Sequence, residues 1–341
     1  MRGFTGTKRS PWFTALDGGS VRCELCPRRC VVNPGGRGFC RVRENRGGVY
    51  YSLVWGNPCA AHLDPIEKKP LFHVLPSTRS YSVATAGCNL QCKFCQNWEI
   101  SQAAPEDLLN HDMPPEAIVA QALQSGARSI AYTYVEPTVF YEYMTDVARL
   151  ARKQGLRNVC HSNAFINPEP LKELCGLLDA ANFDLKGFSE EYYRDMCSGQ
   201  LAPVLDTLKT CRREGVHLEL TNLVVPTRND DETAIRAMCR WIKEELGADT
   251  PLHFSRFYPL YKLRNLPPTP VSTLERARAI ARAEGLRYVY IGNVPGHEAE
   301  HTFCPACGKL VIQRTGYMVG EVRLKGGACA SCGHPIPGIW S

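Results

Sequence analysis

The sequence of 341 residues lacks any apolar run near the roughly 18 residues that a membrane-spanning helix needs. Its first residues, 1–6, lack the apolar core of a signal peptide. The formal net charge is only +6, and there is no long basic run of the kind that binds nucleic acid. We therefore expect a cytoplasmic protein that acts on neither a membrane nor a nucleic acid.

Cysteine, by contrast, is abundant, with 17 residues in the chain. A reducing compartment disfavours disulfides, so clustered cysteines in a cytoplasmic protein are more often metal ligands. Eleven of the cysteines fall into three groups, and each group is a candidate metal site. The remaining six are scattered, and we expect most of them to be buried structural residues: Cys59, Cys160, Cys175, Cys197, Cys211 and Cys239.

The central group is a loop with Cys88, Cys92 and Cys95 at C-x3-C-x2-C spacing, just after a strand-like run at residues 81–84. Three thiolates on one short loop can face a cubane 4Fe-4S cluster, which normally takes four cysteine ligands. One iron would then be open to an outside ligand. No cysteine occurs between Cys95 and Cys160, so the loop does not complete itself. The alternative is half of a zinc site that a distant cysteine closes.

Two further cysteine groups flank this loop and look closed. For the first group, zinc is the default metal, a second cubane cluster would use the same ligands, and a site without metal is the third alternative. Its members are Cys23, Cys26, Cys30 and Cys40. The second group consists of two C-x2-C-G knuckles, which predict a zinc ribbon, with a rubredoxin-like iron site as the alternative. Its members are Cys304, Cys307, Cys329 and Cys332.

From residue 81 onward, strand-like and helical runs alternate. The strands are predicted near 81–86, 129–134, 157–161, 181–185, 217–225 and 252–257, with a seventh near 287–291. Such alternation indicates parallel strands with helical crossovers. We predict an α/β fold built on a partial (β/α)6 TIM-type barrel, with an active site at the carboxyl ends of its strands.

The cysteine groups and the alternation together divide the chain into four regions. The predicted regions are a loose lead-in (1–20), a four-cysteine module with an arm (21–80), the partial barrel (81–298) and a zinc-ribbon-like tail (299–341). Polar residues recur where the predicted strands end, for example Glu136, Asn163 and Asp184. Their repetition favours a ligand pocket over that end of the strands.

The central loop, including Phe94 before its last cysteine, resembles the signature of the radical S-adenosylmethionine (SAM) enzymes. The resemblance implies that the amino and carboxylate groups of SAM chelate the open iron. It also implies reductive cleavage of SAM to a 5′-deoxyadenosyl radical, which abstracts hydrogen from a substrate. The implied cofactors are a 4Fe-4S cluster and SAM, and the implied reductant is a flavodoxin or ferredoxin.

The same resemblance implies roles for five residues outside the loop. Glu136 occupies the place of the superfamily's Gly-Gly-Glu-Pro motif, which binds the SAM amino group, although both glycines are absent here. Asp184 and Lys186 match the Asp-x-Lys of glycyl-radical activating enzymes, where the lysine meets the SAM carboxylate; a helix cap is the alternative for Asp184. Asn163 matches an asparagine of those enzymes, and His253 is expected near the nucleoside.

A closer resemblance covers about residues 21–340. The segments 64–71, 87–101 and 253–259 and the terminal knuckles resemble the AmmeMemoRadiSam-system radical SAM enzymes, relatives of the pyruvate formate-lyase activating enzyme. The expected function is therefore an activating-enzyme-like oxidoreductase that either generates a glycyl radical on a protein substrate or modifies a small molecule or peptide. Many activating enzymes carry a ferredoxin-like insert after the loop, and this chain has no cysteines there, which mildly weakens the first reading. The N-terminal four-cysteine module is the alternative candidate for the same electron-transfer role. The competing hypothesis is a non-catalytic iron–sulfur and zinc interaction protein.

Overall fold

The computed structural model describes residues 6–341, and the first part of this range is a module of short antiparallel strands. These strands form two three-stranded sheets, in the orders β1-β6-β5 and β2-β3-β4. Their bounds are β1 Lys8–Arg9, β2 Phe13–Ala15, β3 Val21–Cys23, β4 Val31–Val32, β5 Arg43–Arg46 and β6 Val49–Ser52. Within the predicted loose lead-in, residues 8–9 and 13–15 form strands, which pair with β6 and β3. Residues 1–5 of the predicted lead-in lie outside the described residues.

The main sheet has eight strands in sequential order. Seven of them are parallel and lie where the sequence predicts strands, whereas β7, an unpredicted edge strand, pairs antiparallel to β8. Within residues 6–341 no pairing joins β14 to β7, so the sheet is open. The bounds are β7 Ala60–Pro65, β8 Arg79–Ala84, β9 Ser129–Tyr132, β10 Arg157–Ser162, β11 Ala180–Asp184, β12 His217–Val224, β13 Leu252–Arg256 and β14 Val289–Gly292.

The helices lie between the parallel strands, which gives the mixed α/β fold that the alternation predicts. Proline begins α2 and α4, where the missing N–H costs no helical hydrogen bond. The side chain of Asp231 caps α7 by accepting from the amide of Ala234 at 2.9 Å. The bounds are α1 Trp98–Ser101, α2 Pro115–Gln124, α3 Tyr141–Lys153, α4 Pro168–Cys175, α5 Glu190–Tyr192, α6 Leu201–Arg213, α7 Glu232–Trp241 and α8 Val271–Ala283.

The C-terminal region is a small antiparallel unit that packs on the main sheet. Its strands are β15 Thr302–Phe303, β16 Leu310–Thr315, β17 Met318–Val322, β18 Leu324–Lys325 and β19 Ala328–Cys329. Val311 and Ile312 form a buried cluster with Tyr288, Tyr290 and Phe72. The tail is therefore joined to β14 and to the segment that follows β7.

That segment, residues 66–75, crosses the amino half of the inner face of the sheet. The side chain of Asn182 donates to the carbonyl of Pro70 at 2.7 Å. The carboxylate of Glu219 accepts from the backbone amides of Phe72 and His73 at 3.0 and 2.7 Å. The chain thus fills one half of this face itself and leaves space at the carboxyl ends. In the described part of the chain, no helix is both long enough and apolar enough to cross a membrane.

Candidate functional site

A cavity of about 470 Å³ lies at the carboxyl ends of the parallel strands. That volume is within the range of roughly 300–1,000 Å³ typical of cofactor and small-molecule sites. The loop after β8 forms one wall, with Cys88, Cys92 and Cys95. The ends of β9, β10 and β11 form the opposite wall, so the predicted loop and the predicted strand ends share one cavity.

Gly87 turns the chain from β8 into the cysteine loop. Its φ is +89°, in the left-handed region that favours glycine. A Cβ there would lie 2.5 Å from the carbonyl oxygen of Cys40, so no side chain fits. The loop is therefore held tightly against the N-terminal module at its first cysteine.

The three loop cysteines differ in their surroundings. Burial raises the pKa of the Cys88 thiol well above its usual range, and the nearby Glu136 raises it further. The pKa of Cys92 is lowered, first by a hydrogen bond from the Cys197 thiol and then, against burial, by the charge of Lys186. Cys197 lies beside the loop because its carbonyl accepts from the amide of Gln91 at 3.0 Å. The spacing of the cysteines along the sequence did not predict that Cys197 lies beside the loop.

Glu136 follows β9 and is buried, with four hydrogen bonds that fix its carboxylate. Oε1 accepts from the amide and hydroxyl of Thr138 at 3.0 and 2.6 Å and from the Ser162 hydroxyl at 2.9 Å. Oε2 accepts from the amide of Asn163 at 2.7 Å. Oε2 accepts only one of these four bonds, so it keeps an acceptor position for a ligand. Burial raises the pKa of Glu136, and the Thr138 hydrogen bonds oppose that shift.

Tyr134 stands where the resemblance would place glycine, yet it adopts a φ of +64°. This conformation is unusual for an aromatic residue and requires support from its surroundings. Its hydroxyl donates to the carboxylate of Asp64, which also accepts from Lys69 at 2.6 Å. The side chain of Asn97 donates to the Tyr134 carbonyl at 2.8 Å. Asp64 of β7, together with Asn97, therefore holds the turn that glycines would form unaided.

Asp184 and Lys186, at the end of β11, form a pair that lines the cavity. Lys186 Nζ lies 2.8 Å from Asp184 Oδ2, and His161 Nε2 lies 3.0 Å from Oδ1. Burial opposes ionisation of Asp184, but the charges of Lys186 and His161 outweigh it and lower the pKa. Burial likewise opposes the charge of Lys186, and Asp184 and Cys92 outweigh it and raise the pKa. Among residues 6–341, the partners of the Asp184 side chain are His161 and Lys186 rather than the amides of a helix N-terminus, which argues against the helix-cap alternative.

Asn163, after β10, links the strand end to the cysteine loop. Its side-chain amide donates to Asn89 Oδ1 at 2.9 Å and lies 3.8 Å from Cys88 Sγ. Asn89 in turn donates to the carbonyl of Phe165 at 2.7 Å. Two successive asparagines on different elements thus position Cys88. Asn89 was missed because its only sequence signal is its place inside the loop.

His253 does not line the cavity, contrary to the expectation that it lies near a nucleoside. It is buried two residues below Ser255, which does line the cavity. Its Nε2 lies 2.7 Å from Glu219 Oε2, and its ring lies 4.8 Å from that of Phe72. The arm residue Phe72 and Glu219 fill the space at this level, so His253 belongs to the packed floor beneath the cavity.

The four cysteines of the tail come together. Their sulfur atoms all lie within 4.8 Å of one another, with Cys304–Cys332 at 3.6 Å and Cys307–Cys329 at 3.8 Å. A tetrahedral zinc with Zn–S bonds of about 2.3 Å sets its sulfur atoms about 3.8 Å apart. The donor set and its spacing therefore fit a single tetrahedral ion.

The family model of the radical SAM superfamily matches residues 82–238. The uncharacterized protein MJ0808 of Methanocaldococcus jannaschii is 46% identical over 331 residues, which cover 96% of this chain and 98% of that protein. The GTP 3',8-cyclase of Brucella canis is 23% identical over 255 residues, 69% of this chain and 73% of the cyclase. The pyruvate formate-lyase-activating enzyme of Clostridium pasteurianum is 21% identical over 160 residues, 46% of this chain and 66% of that enzyme. Among solved structures, Streptococcus suis SuiB aligns with a TM-score of 0.49 at 12% identity, over 67% of this chain and 52% of that chain.

Proposed function

This chain belongs to the radical SAM superfamily, and we propose that Cys88, Cys92 and Cys95 hold its 4Fe-4S cluster while SAM occupies the neighbouring cavity. One observation supports the proposal above all. Three cysteines from one loop and the polar ends of three successive strands line the same cavity of about 470 Å³. We assign the chain to the AmmeMemoRadiSam-system group within the superfamily, because residues 64–71, 87–101 and 253–259 and the terminal knuckles resemble those enzymes. When bound, the cluster and SAM would supply one-electron cleavage of SAM and a radical that takes hydrogen from a substrate.

The fit of the cavity to SAM follows from its charges. Lys186 offers a cation to the SAM carboxylate, and Asp184 keeps that lysine protonated in spite of burial. Glu136 offers the remaining acceptor position of Oε2 to the SAM amino group. The two ends of the amino acid moiety would thus meet groups of opposite charge at the ends of β9 and β11, with β10 between them.

The remaining residues orient these groups and exclude water. Ser162, Thr138 and the amide of Asn163 fix the Glu136 carboxylate before any ligand arrives. Asn163 and Asn89 hold the Cys88 end of the loop at the same time. Apolar Leu90, Phe94 and Val135 line the cavity between the polar groups and keep its wall dry.

The substrate belongs to one of two classes: a protein that receives a glycyl radical, or a small molecule or peptide. We favour the second class, because no cysteines follow the loop at the place of the ferredoxin-like insert. The reductant would be a flavodoxin or ferredoxin. Deuterium transfer from candidate substrates into 5′-deoxyadenosine, in anaerobic turnover with cell extract fractions, would identify the substrate.

The tail, in this proposal, is a zinc ribbon with a structural role, supported by its sulfur spacing. The non-catalytic alternative, an iron–sulfur and zinc interaction protein, predicts no chemistry on SAM. Anaerobic reconstitution followed by dithionite and SAM separates the two. We expect 5′-deoxyadenosine in amounts that grow with time, and its absence in a protein with an intact cluster would refute the enzyme proposal.

A further inference from the structure

The four N-terminal cysteines line one small cavity. Cys23 and Cys26 are buried, Cys30 and Cys40 are half-buried, and all four line the cavity together with Arg43 and Tyr50. Cys23 ends β3, and its amide donates to the carbonyl of Cys30 at 2.9 Å, which closes the turn that carries three of the cysteines. The sequence left open whether this set holds zinc, a cluster or no metal.

The spacing of the sulfur atoms separates these alternatives. Among residues 6–341, only the tail cysteines form a group of three or more candidate ligands whose donor atoms all lie within 4.8 Å of one another. No three of the N-terminal sulfur atoms meet that distance, although their side chains face a common cavity. One tetrahedral zinc needs sulfur atoms about 3.8 Å apart, whereas a cubane offers a separate iron to each cysteine. The wider spacing therefore favours a cubane cluster.

Two residues that line the cavity carry buried hydrogen-bond donors with no partner among residues 6–341. They are the hydroxyl of Tyr50 and Nε of Arg43, side chains that are 0% and 1% exposed. The other nitrogens of Arg43 are used, since Nη1 donates to Glu142 at 2.9 Å and to Ser10 at 3.1 Å. A buried donor without a partner destabilises the fold, so these two indicate an acceptor in the cavity. The sulfur atoms of a cluster are such acceptors, and hydrogen bonds to them tune the reduction potential.

The cavity also abuts the central loop. Asn89 lines it and is the residue next to Cys88. Arg28 lines it as well and donates through Nε to the Asn89 carbonyl. On the other side, the carbonyl of Cys40 packs against Gly87, where a Cβ would lie only 2.5 Å away. Arg28, which lies between Cys26 and Cys30, and Cys40 are thus in direct contact with the residues on either side of Cys88.

We infer that Cys23, Cys26, Cys30 and Cys40 hold a second 4Fe-4S cluster, fully ligated by cysteine, which passes single electrons to the central loop. A low-potential one-electron donor protein would reduce this cluster by one electron, and the same electron would leave through the contact with Asn89 and Cys40. No bond is made or broken in that step. The identity of the cluster stands on geometry alone, whereas its electron-transfer role rests on the proposed function.

Metal analysis of the full chain with Cys88, Cys92 and Cys95 all changed to Ala tests the site. This variant lacks the central ligands, so it should retain about four iron and four sulfide per chain from the N-terminal cluster, and about one zinc from the tail. Wild-type protein should hold about eight iron. A variant with about two zinc and no iron or sulfide would overturn the inference, as would wild-type protein with only about four iron.

The outcome separates this inference from the proposed function. Iron in the triple variant together with wild-type protein that fails to cleave SAM would leave the second cluster standing and refute the enzyme. Cleavage of SAM by a wild-type protein that holds only about four iron would support the enzyme and refute the second cluster.

Tyr50→Phe in the triple-variant background is the matched test of the cavity itself. The change removes only the unpaired hydroxyl, so iron content should be unchanged while the reduction potential of the cluster falls. An unchanged potential would show that the hydroxyl does not donate to a cluster.

Electron transfer is tested by EPR of the reduced wild-type chain, which should show magnetic coupling between two close clusters. A wild-type spectrum equal to the sum of the spectra of two variants, each of which retains only one of the two clusters, would refute the contact.

Discussion

The central loop and the C-terminal tail both carry cysteines at short spacing, but they present them differently. In the tail, four sulfur atoms lie within 4.8 Å of one another and two of the residues, Cys307 and Cys332, are exposed. In the loop, three cysteines line a cavity whose opposite wall carries Glu136 and Lys186. A closed ligand set stabilises a fold, whereas an open set beside converging polar groups leaves a metal free to bind a second molecule. The four predictions below test this contrast.

The largest effect is expected for Cys92→Ala, which removes a ligand of the open site. Formation of 5′-deoxyadenosine should fall below detection, because the loop provides only three cysteine ligands and the variant keeps two of them. Cys59→Ala is the matched control, since Cys59 is in none of the three groups and should retain wild-type cleavage. Survival of cleavage in the Cys92 variant would refute the ligand assignment.

The second prediction concerns the closed site. Cys329→Ser combined with Cys332→Ser should remove about one zinc per chain. Structural zinc binds peptides with apparent free energies of about 10 kcal/mol or more, so the tail should unfold and become sensitive to limited proteolysis near residue 300. Iron content should not change. A double variant that keeps its zinc, or loses iron instead, would contradict the separation of the two sites.

A pH effect is expected where the tail meets the arm. Burial lowers the pKa of His73 to about 4, with Glu219 opposing that shift and His217 and Arg314 also facing the ring. His73 of the unfolded chain binds a proton below about pH 6.5, whereas His73 of the folded chain stays neutral down to about pH 4. The free energy of unfolding therefore decreases as the pH falls through this window. The full loss is about 3 kcal/mol.

Urea unfolding at a series of pH values from 7 to 4.5 measures this loss, with His73→Gln as the control. Glutamine can still hydrogen-bond the Pro337 carbonyl and the Tyr290 hydroxyl, the present partners of His73 at 2.6 and 2.7 Å. The variant should show a flatter dependence on pH in this window. Identical slopes for the two proteins would rule out His73 as the titrating group.

The smallest effect is expected for Lys186→Met. A charge-assisted hydrogen bond contributes about 2 kcal/mol, so the Kd for SAM, measured by calorimetry on the reconstituted chain, should rise roughly 30-fold. Lys93→Met removes an equal charge from an exposed position of the cysteine loop and should leave the Kd unchanged. Equal Kd values for the two variants would mean that Lys186 does not contact SAM.

Much of the main sheet could be predicted from the sequence, because β/α alternation and proline at helix starts are local signals. The strands near 129–134 and 217–225, for example, were placed within a few residues of β9 and β12. The edge strand β7 was missed because Asp64-Pro65 and the charges after it suggest an irregular segment. Only its pairing with β8, a contact made by later residues, makes it a strand.

The site was predicted less evenly, for a similar reason. Glu136, Asn163, Asp184 and Lys186 follow strands and line the cavity, as their positions suggested. His253 also lies in a strand near its end, but Glu219 and the arm occupy that level of the sheet. Contacts between distant segments decide such cases, and one sequence does not record them. The SAM-binding roles of the four cavity residues stay predictions.

The central claim is that the loop of Cys88, Cys92 and Cys95 leaves one iron open to SAM, whereas the flanking sites are closed. Mössbauer spectroscopy of the ⁵⁷Fe-reconstituted full chain, with and without SAM, tests it most directly. We expect SAM to change the parameters of a single iron and to leave all other irons unchanged. Spectra that are identical with and without SAM, in a chain that retains its cluster, would contradict the account.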